Sequence, residues 1–209
     1  MVLFLAGAVP LSFALVVFGY AERRISLLNL GRPAARGLLM FVVAYVFYLL
    51  LRPVVKLDYS AEGLYIYYLL HDSLYFLVWS VVSYLVYYQI PHTDKPEEDY
   101  LPVLVYFTSF YLLLAISDIL LNKSLTAYIV LLLPVVRVGL IYISVAMIVL
   151  ARRMYMVTRY ALLLIPFTVG AAAAFVPALY TQRYIAGASL LAAGIFVAGA
   201  LSFVLSTRK

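Results

Sequence analysis

The sequence predicts an all-α polytopic membrane protein with seven transmembrane helices, N-terminus outside and C-terminus cytoplasmic. Three observations predict it. Of 209 residues, 67% are hydrophobic and 11% charged, whereas soluble domains run nearer half apolar and a quarter charged. The apolar residues fall in runs of about twenty, each long enough to cross roughly 30 Å of hydrocarbon as a helix. The runs lack the alternation of a membrane barrel. Finally, Lys and Arg crowd onto alternate connections, which fixes direction.

The spans fall at about 2–20, 37–55, 60–90, 101–121, 125–150, 160–180 and 184–205. No connection is long enough for a soluble domain, so 1–209 reads as a single transmembrane helical domain. The first span has no basic residue before it, Arg23 and Arg24 after it, and no small-x-small cleavage site; it reads as a retained helix rather than a signal peptide. The connection 21–36 is basic, and 25–30 reads as a short amphipathic helix in the headgroup layer. Span two extends through Pro53 and ends against Arg52 and Lys56. Span three is about thirty residues, longer than a perpendicular crossing needs, so it must tilt or project. The loop 91–100 is acidic and carries Pro91 and Pro96. Pro102 suits the first turn of span four. Asn122, Lys123 and Ser124 make a tight connection, so spans four and five form an antiparallel hairpin. In span seven Ala188 and Ala192, Gly187 and Gly194, and Gly194 and Ala198 stand four or seven apart. Small residues at these spacings predict close packing of spans six and seven.

Sorted by alternate connections, Arg23, Arg24, Arg32, Arg36, Lys95, Arg152, Arg153, Arg159, Arg208 and Lys209 fall on one side, and Arg52, Lys56, Lys123 and Arg183 on the other. The richer side is cytoplasmic by the positive-inside rule, in which the acids of 91–100 weigh little. The net charge of +6 then reflects orientation and contact with anionic lipid headgroups rather than nucleic acid. Mean hydropathy is +1.07, and the location this implies is the cell membrane, multi-pass. The chain has no Cys, which excludes disulfides, thiolate metal sites and a Cys nucleophile. Two Asn and two Gln fit a thermophile, and equally fit membrane composition.

The chemistry centres on span three. Tyr65, Tyr68, Asp72, Tyr75 and Trp79 recur at steps of three and four, which places them on one stripe of an α-helix, with Tyr67 and His71 on its flank. A carboxylate at bilayer mid-depth costs several kcal/mol unless protonated, paired or hydrated. Arg137 in span five is the expected partner. Spans three and five run in the same direction, and Asp72 and Arg137 both lie roughly 16–18 Å below the outer end. His71 is a candidate proton shuttle. Asp118, about one turn inside the end of span four, is expected to bind Lys123 or Arg52, to face water, or to line a vestibule leading to Asp72. Among twenty tyrosines, Tyr84, Tyr100, Tyr160, Tyr180 and Tyr184 fit an interfacial belt. Tyr65, Tyr67, Tyr68 and Tyr75 lie deeper and call for a polar cavity, whose ring faces could hold a cation.

Several chemistries lack their residues. Span seven has no Lys for a retinal Schiff base, there is no HExxH and no phosphate loop, and no two intramembrane aspartates are expected at equal depth on two spans. No metal or other cofactor is expected, and the balance leans away from an enzyme. The leading expectation is a small transporter or channel-like protein, coupled to protons or cations. Its ion- or ligand-binding residues would be Asp72, His71, Arg137, Tyr68, Tyr75, Trp79 and Asp118. The alternative is a non-catalytic membrane subunit, a receptor-like sensor or the anchor of a larger complex, docking a protein partner at 91–100. A lipid-acting intramembrane enzyme is third. No internal repeat of the kind many transporters carry is evident. A reporter fused after Lys209 should be active only on the cytoplasmic side; activity outside would reverse the assigned orientation.

Overall fold

The computed structural model describes residues 27–51, 59–87, 100–121, 126–154 and 156–207. Among these the chain is helical with no strand. Six helices are long and apolar enough to cross a membrane: Gly31–Leu50, Ala61–Val86, Tyr100–Leu120, Tyr128–Arg152, Val157–Thr181 and Ile185–Thr207. The expected first span at 2–20, the residues Arg52, Pro53 and Lys56, the loop 91–99 and the connection Asn122 to Ser124 lie outside the described residues.

The elements are α1 (Leu27–Leu51), α2 (Ala61–Tyr68), α3 (Leu74–Tyr87), α4 (Tyr100–Leu121), α5 (Leu133–Arg152), α6 (Met156–Ala173), α7 (Phe175–Thr181) and α8 (Ile185–Thr207). A π-helical segment, Leu69–Ser73, joins α2 to α3, and a second, Tyr128–Leu132, leads into α5. Helix α1 starts well before the expected 37. Residues 27–30, expected in a separate headgroup helix, belong to it, because Leu27, Leu28 and Leu30 carry the apolar run backwards. Pro33 lies inside α1; it forfeits one ladder bond without ending the helix, as bilayer helices tolerate.

Local chemistry explains the other boundaries. The Ser60 side chain accepts from Gly63 N–H at 3.0 Å, and Glu62 sits in the first turn of α2, where a cap and a negative charge both stabilise a helix start. Pro134 has no N–H to close the α-type bond four residues back. The chain instead widens, and Leu133 N–H reaches Tyr128 O in the π pattern. Pro177 likewise interrupts the sixth span: α6 stops at Ala173, Ala174 N–H bonds only to Ala171 O at 3.3 Å, and α7 begins anew with Pro177 in its first turn.

Consecutive spans alternate in direction. At one end Tyr68 Oη meets Thr181 Oγ1 at 3.1 Å and the Tyr128 ring packs on Tyr180 at 5.6 Å. At the other end Arg152 Nη2 donates to Tyr84 Oη at 2.7 Å and Tyr100 meets Phe203 edge to face at 5.7 Å. Tyr84 and Tyr100 therefore do not serve as the wet interfacial residues expected of them. Both are buried, whereas Tyr180 is half-buried at the end of its span and faces a cavity.

Helix α5 is the centre of the bundle. It is apolar on all sides and buried on nearly all of them, as a helix without a polar face must be. It packs against α4, α6 and α8. Aromatic residues from α1, α3 and α4, among them Phe41, Phe76 and Phe110, fill the core on one side. On the other side Ala188, Ala192 and Ile195 of α8 pack on Val136 and Leu140. The small residues of span seven thus meet span five as well as span six, where Ala173 and Val176 join the same cluster. A Cβ on Gly199 would lie 2.9 Å from Gly139 Cα, and one on Gly139 would lie 2.8 Å from Ile195 O. Gly194 faces open space and Gly187 meets only Leu179, so their spacing marks the outer surface of α8. A second close approach joins α1 to α4, where a Cβ on Gly37 would lie 3.2 Å from Ser109 Cβ. Gly199→Leu should lower stability by about 1–3 kcal/mol or more through overpacking, whereas Gly194→Leu should be near neutral. Unfolding in detergent distinguishes them, and equal effects would argue against the α5–α8 seam.

Candidate functional site

Three side chains from three helices meet beside the two π-helical segments. Arg137 on α5 is 4% exposed. Its Nη2 lies 3.4 Å from Asp72 Oδ1 and donates to Asp118 Oδ2. The Tyr128 hydroxyl donates to Asp72 Oδ2 at 3.0 Å. Asp72 therefore has both oxygens engaged, one by a cation and one by a neutral donor.

The arrangement corrects one expectation. Asp118 shares the guanidinium with Asp72; Lys123 and Arg52, its other expected partners, lie outside the described residues. Two aspartates from different spans thus converge after all. Side-chain direction explains this. Helical side chains lean toward the N-terminus of their helix. Arg137 and Asp72 lean toward the end of the bundle where their spans begin, while Asp118, on an antiparallel span, leans inward to meet them. Counting residues from the ends of spans ignores this lean and the length of an arginine side chain.

The stripe expected on span three also divides. Each π turn holds one extra residue in its bonded ring and rotates the next stretch of chain by roughly 100° relative to an α-helix. Ahead of the first π turn, Tyr65 stacks on Phe175 at 4.2 Å and Tyr68 reaches Thr181. Beyond it, Tyr75 donates to Ala44 O of α1 at 2.8 Å and Trp79 stacks on Phe47 at 5.5 Å. Tyr75 and Trp79, expected at the site, brace α3 against α1 instead. The second π turn acts in the opposite sense. Tyr128 and Arg137 are nine residues apart, roughly opposite faces of an α-helix; the π segment swings Tyr128 round toward the ion cluster. Tyr128 was not singled out in the sequence, where Pro134 was the available signal that the helix ahead of it is distorted.

A cavity of about 610 Å³ opens beside the cluster. Asp72, Asp118, His71, Tyr68 and Phe76 line it, together with Tyr45, Tyr48, Tyr67, Tyr128 and Tyr180. Arg137 does not reach its wall and stands behind the two acids. His71 is 8% exposed. Its Nδ1–H donates to Tyr67 O at 3.1 Å, its ring stacks on Tyr67 at 4.4 Å, and Tyr48 meets it edge on at 5.9 Å. Among the described residues, no group of three His, Asp or Glu side chains is arranged to hold a metal ion.

Comparison with known protein families, curated proteins and solved structures finds no match.

A buried guanidinium stripped of its partners is strongly destabilising, by about 3–5 kcal/mol. The shared geometry makes the two sides of this cluster unequal. Asp72→Asn leaves Arg137 still held by Asp118 and should cost little stability. Arg137→Gln leaves two carboxylates facing each other and should cost about 3–5 kcal/mol; adding Asp72→Asn and Asp118→Asn should recover most of it. Thermal unfolding of the purified variants checks this, and an Arg137→Gln as stable as the parent would contradict a shared buried charge.

Proposed function

We propose that this chain is a small transporter or channel-like protein of the cell membrane, with Asp72, Asp118 and Arg137 forming a polar intramembrane site that handles a proton or another cation. The observation that carries the reading is the position of the cluster: two carboxylates and the guanidinium they share stand at the wall of a cavity among the spanning helices. Both acids line the cavity, so a proton or a cation entering it meets a carboxylate oxygen directly. A structural ion pair alone needs only one acid for its arginine, and needs no cavity. Intramembrane carboxylates in this setting are characteristic of ion and proton pathways.

His71 stands one residue from Asp72 and lines the cavity, placed to pass a proton between the cavity and the cluster. Tyr68 lines the approach, while Tyr75 and Trp79 fix the helix that carries it. The basic connections give seven spans with the C-terminus cytoplasmic, and those connections contact anionic headgroups. In this reading the site end of the bundle, where α2 and α5 begin, faces outward. A docking role for the loop 91–100 belongs to the alternative, a non-transporting subunit.

Purified protein in liposomes under a pH gradient should collapse the gradient, followed with an entrapped pH-sensitive dye, and Asp72→Asn should abolish the collapse. No flux of protons or metal cations, together with a stable co-purifying partner, would favour the subunit reading.

A further inference from the structure

Buried polar groups continue past the ion cluster, away from the cavity. Ser144 stands seven residues after Arg137, and Tyr111 seven residues before Asp118. Seven residues are nearly two turns, so each shares the face of its helix that carries the cluster. Because α4 and α5 run in opposite directions, both lie on the same side of the cluster, about 10 Å along the helices toward the end at Arg152. Ser80 of α3 stands at a similar level, eight residues beyond Asp72. All three are buried. The Tyr111 hydroxyl has Ser80, Arg137 and Asp72 among its polar neighbours, yet neither it nor Ser144 Oγ makes a hydrogen bond among the described residues. Thr108 Oγ1, one turn beyond Tyr111, is equally buried and equally unsatisfied. A Ser or Thr hydroxyl inside a helix can bond a carbonyl one turn back, as Ser80 does at Leu77 O and Ser83 at Trp79 O. Ser144 and Thr108 do not. A buried hydroxyl without a partner costs free energy, and the usual partner in a protein core is a bound water that joins several such groups. Farther along, the polar groups meet directly. Ser83 Oγ and Tyr106 Oη lie 2.6 Å apart, the Tyr106 and Tyr84 rings pack at 5.2 Å, and Arg152 Nη2 donates to Tyr84 Oη at 2.7 Å. Arg152 is about 22 Å from Arg137 along α5.

Resting on the transport reading above, we infer that the ion handled at the cluster is the proton, and that buried hydroxyls and bound waters carry it from Asp72 and Asp118 past Tyr111, Ser144 and Thr108 to the Arg152 end. A hydroxyl both accepts and donates. A proton that arrives on the oxygen of one hydroxyl or water is matched by release of that group's own proton to the next. Every group in the wire ends neutral with its O–H reversed, and rotation of the O–H bonds restores the start. A gap of about 10 Å needs only two or three waters at hydrogen-bond spacing. A metal cation would have to make the journey itself, surrounded by about six oxygen ligands, and the core along this route is filled by fully buried Leu77, Phe107, Phe110 and Ile141.

The test uses the full chain in liposomes, with the membrane potential set by potassium and valinomycin and an entrapped pH-sensitive dye. Protons should cross, and radioactive sodium should not. Tyr111→Phe and Ser144→Ala should each slow proton flux by about five- to a hundredfold, as the loss of one hydrogen-bonded link raises a barrier. Ser206→Ala removes a buried hydroxyl that bonds within α8 and should leave the flux unchanged. A second measurement needs no variant. Radiolytic hydroxyl-radical footprinting of the parent chain, read by mass spectrometry, should label Tyr111 despite its burial, because water beside it supplies the radicals, while the equally buried Phe203 should stay unlabelled. Asp72-dependent proton flux that is indifferent to both Tyr111→Phe and Ser144→Ala would overturn the wire and leave the transport reading standing, and so would sodium uptake without proton flux. Where a substitution unfolds the protein the labelling decides, and an unlabelled Tyr111 overturns the wire. No flux of any ion through the folded parent would remove the transport reading and the wire with it.

Discussion

Everything in this bundle is arranged around a guanidinium that has nowhere else to go. Arg137 lies on the one helix that is enclosed on nearly all sides, so it cannot lean out to water as a basic residue near a helix end does. Its charge has to be met where it stands, and it is met twice, by Asp72 and Asp118. Tyr128 then takes the second oxygen of Asp72. This network ties together the third, fourth and fifth spans near the end of the bundle where two of them begin.

The two π-helical segments are the means by which ordinary helices deliver these groups to one place. Both lie at the level of the cluster: Leu69–Ser73 contains His71 and Asp72, and Tyr128–Leu132 starts at the tyrosine that binds Asp72. In each, one residue's worth of rotation separates a face turned to the cavity from a face turned to a neighbouring helix. Short π segments recur at functional sites for this reason, since they re-aim side chains at small cost in backbone hydrogen bonds. Here they let one continuous span carry Tyr68 and Asp72 toward the cavity and Tyr75 and Trp79 toward α1.

Much of the helical architecture was legible in the sequence, because runs of apolar residues set the spans from 60 onward to within a few residues. The approach of Asp72 to Arg137 was legible too, from equal distances along two spans that run the same way. What escaped has identifiable causes. Spacing names a face but not all its neighbours: Ala188 and Ala192 do mark a packed face of α8, yet that face meets α5 as well as the sixth span, and Gly199, not Gly194, makes the close contact. The wheel of span three assumed 3.6 residues per turn throughout, and no Pro or Gly between Tyr68 and Tyr75 announces the change in pitch. Asp118 was named for the site, but its bond to Arg137 was not foreseen, because its depth was measured at the backbone. The tyrosines of the cavity come from several spans, a convergence that no local pattern encodes.

The glycine seam bears on how such a protein could change shape. Where Gly139 and Gly199 meet, their backbones nearly touch and no side chain separates α5 from α8 to give way. A contact that close makes the pair a stiff mast at this level. Arg137 is bolted to that mast two residues before the seam begins, so the positive charge is the stationary member of the cluster. The joints lie elsewhere, at the two π turns and at the break after Ala173. Of the arginine's two partners, Asp72 sits on one of these joints and Asp118 on an unbroken helix, so the two ends of the cluster are held with unequal stiffness.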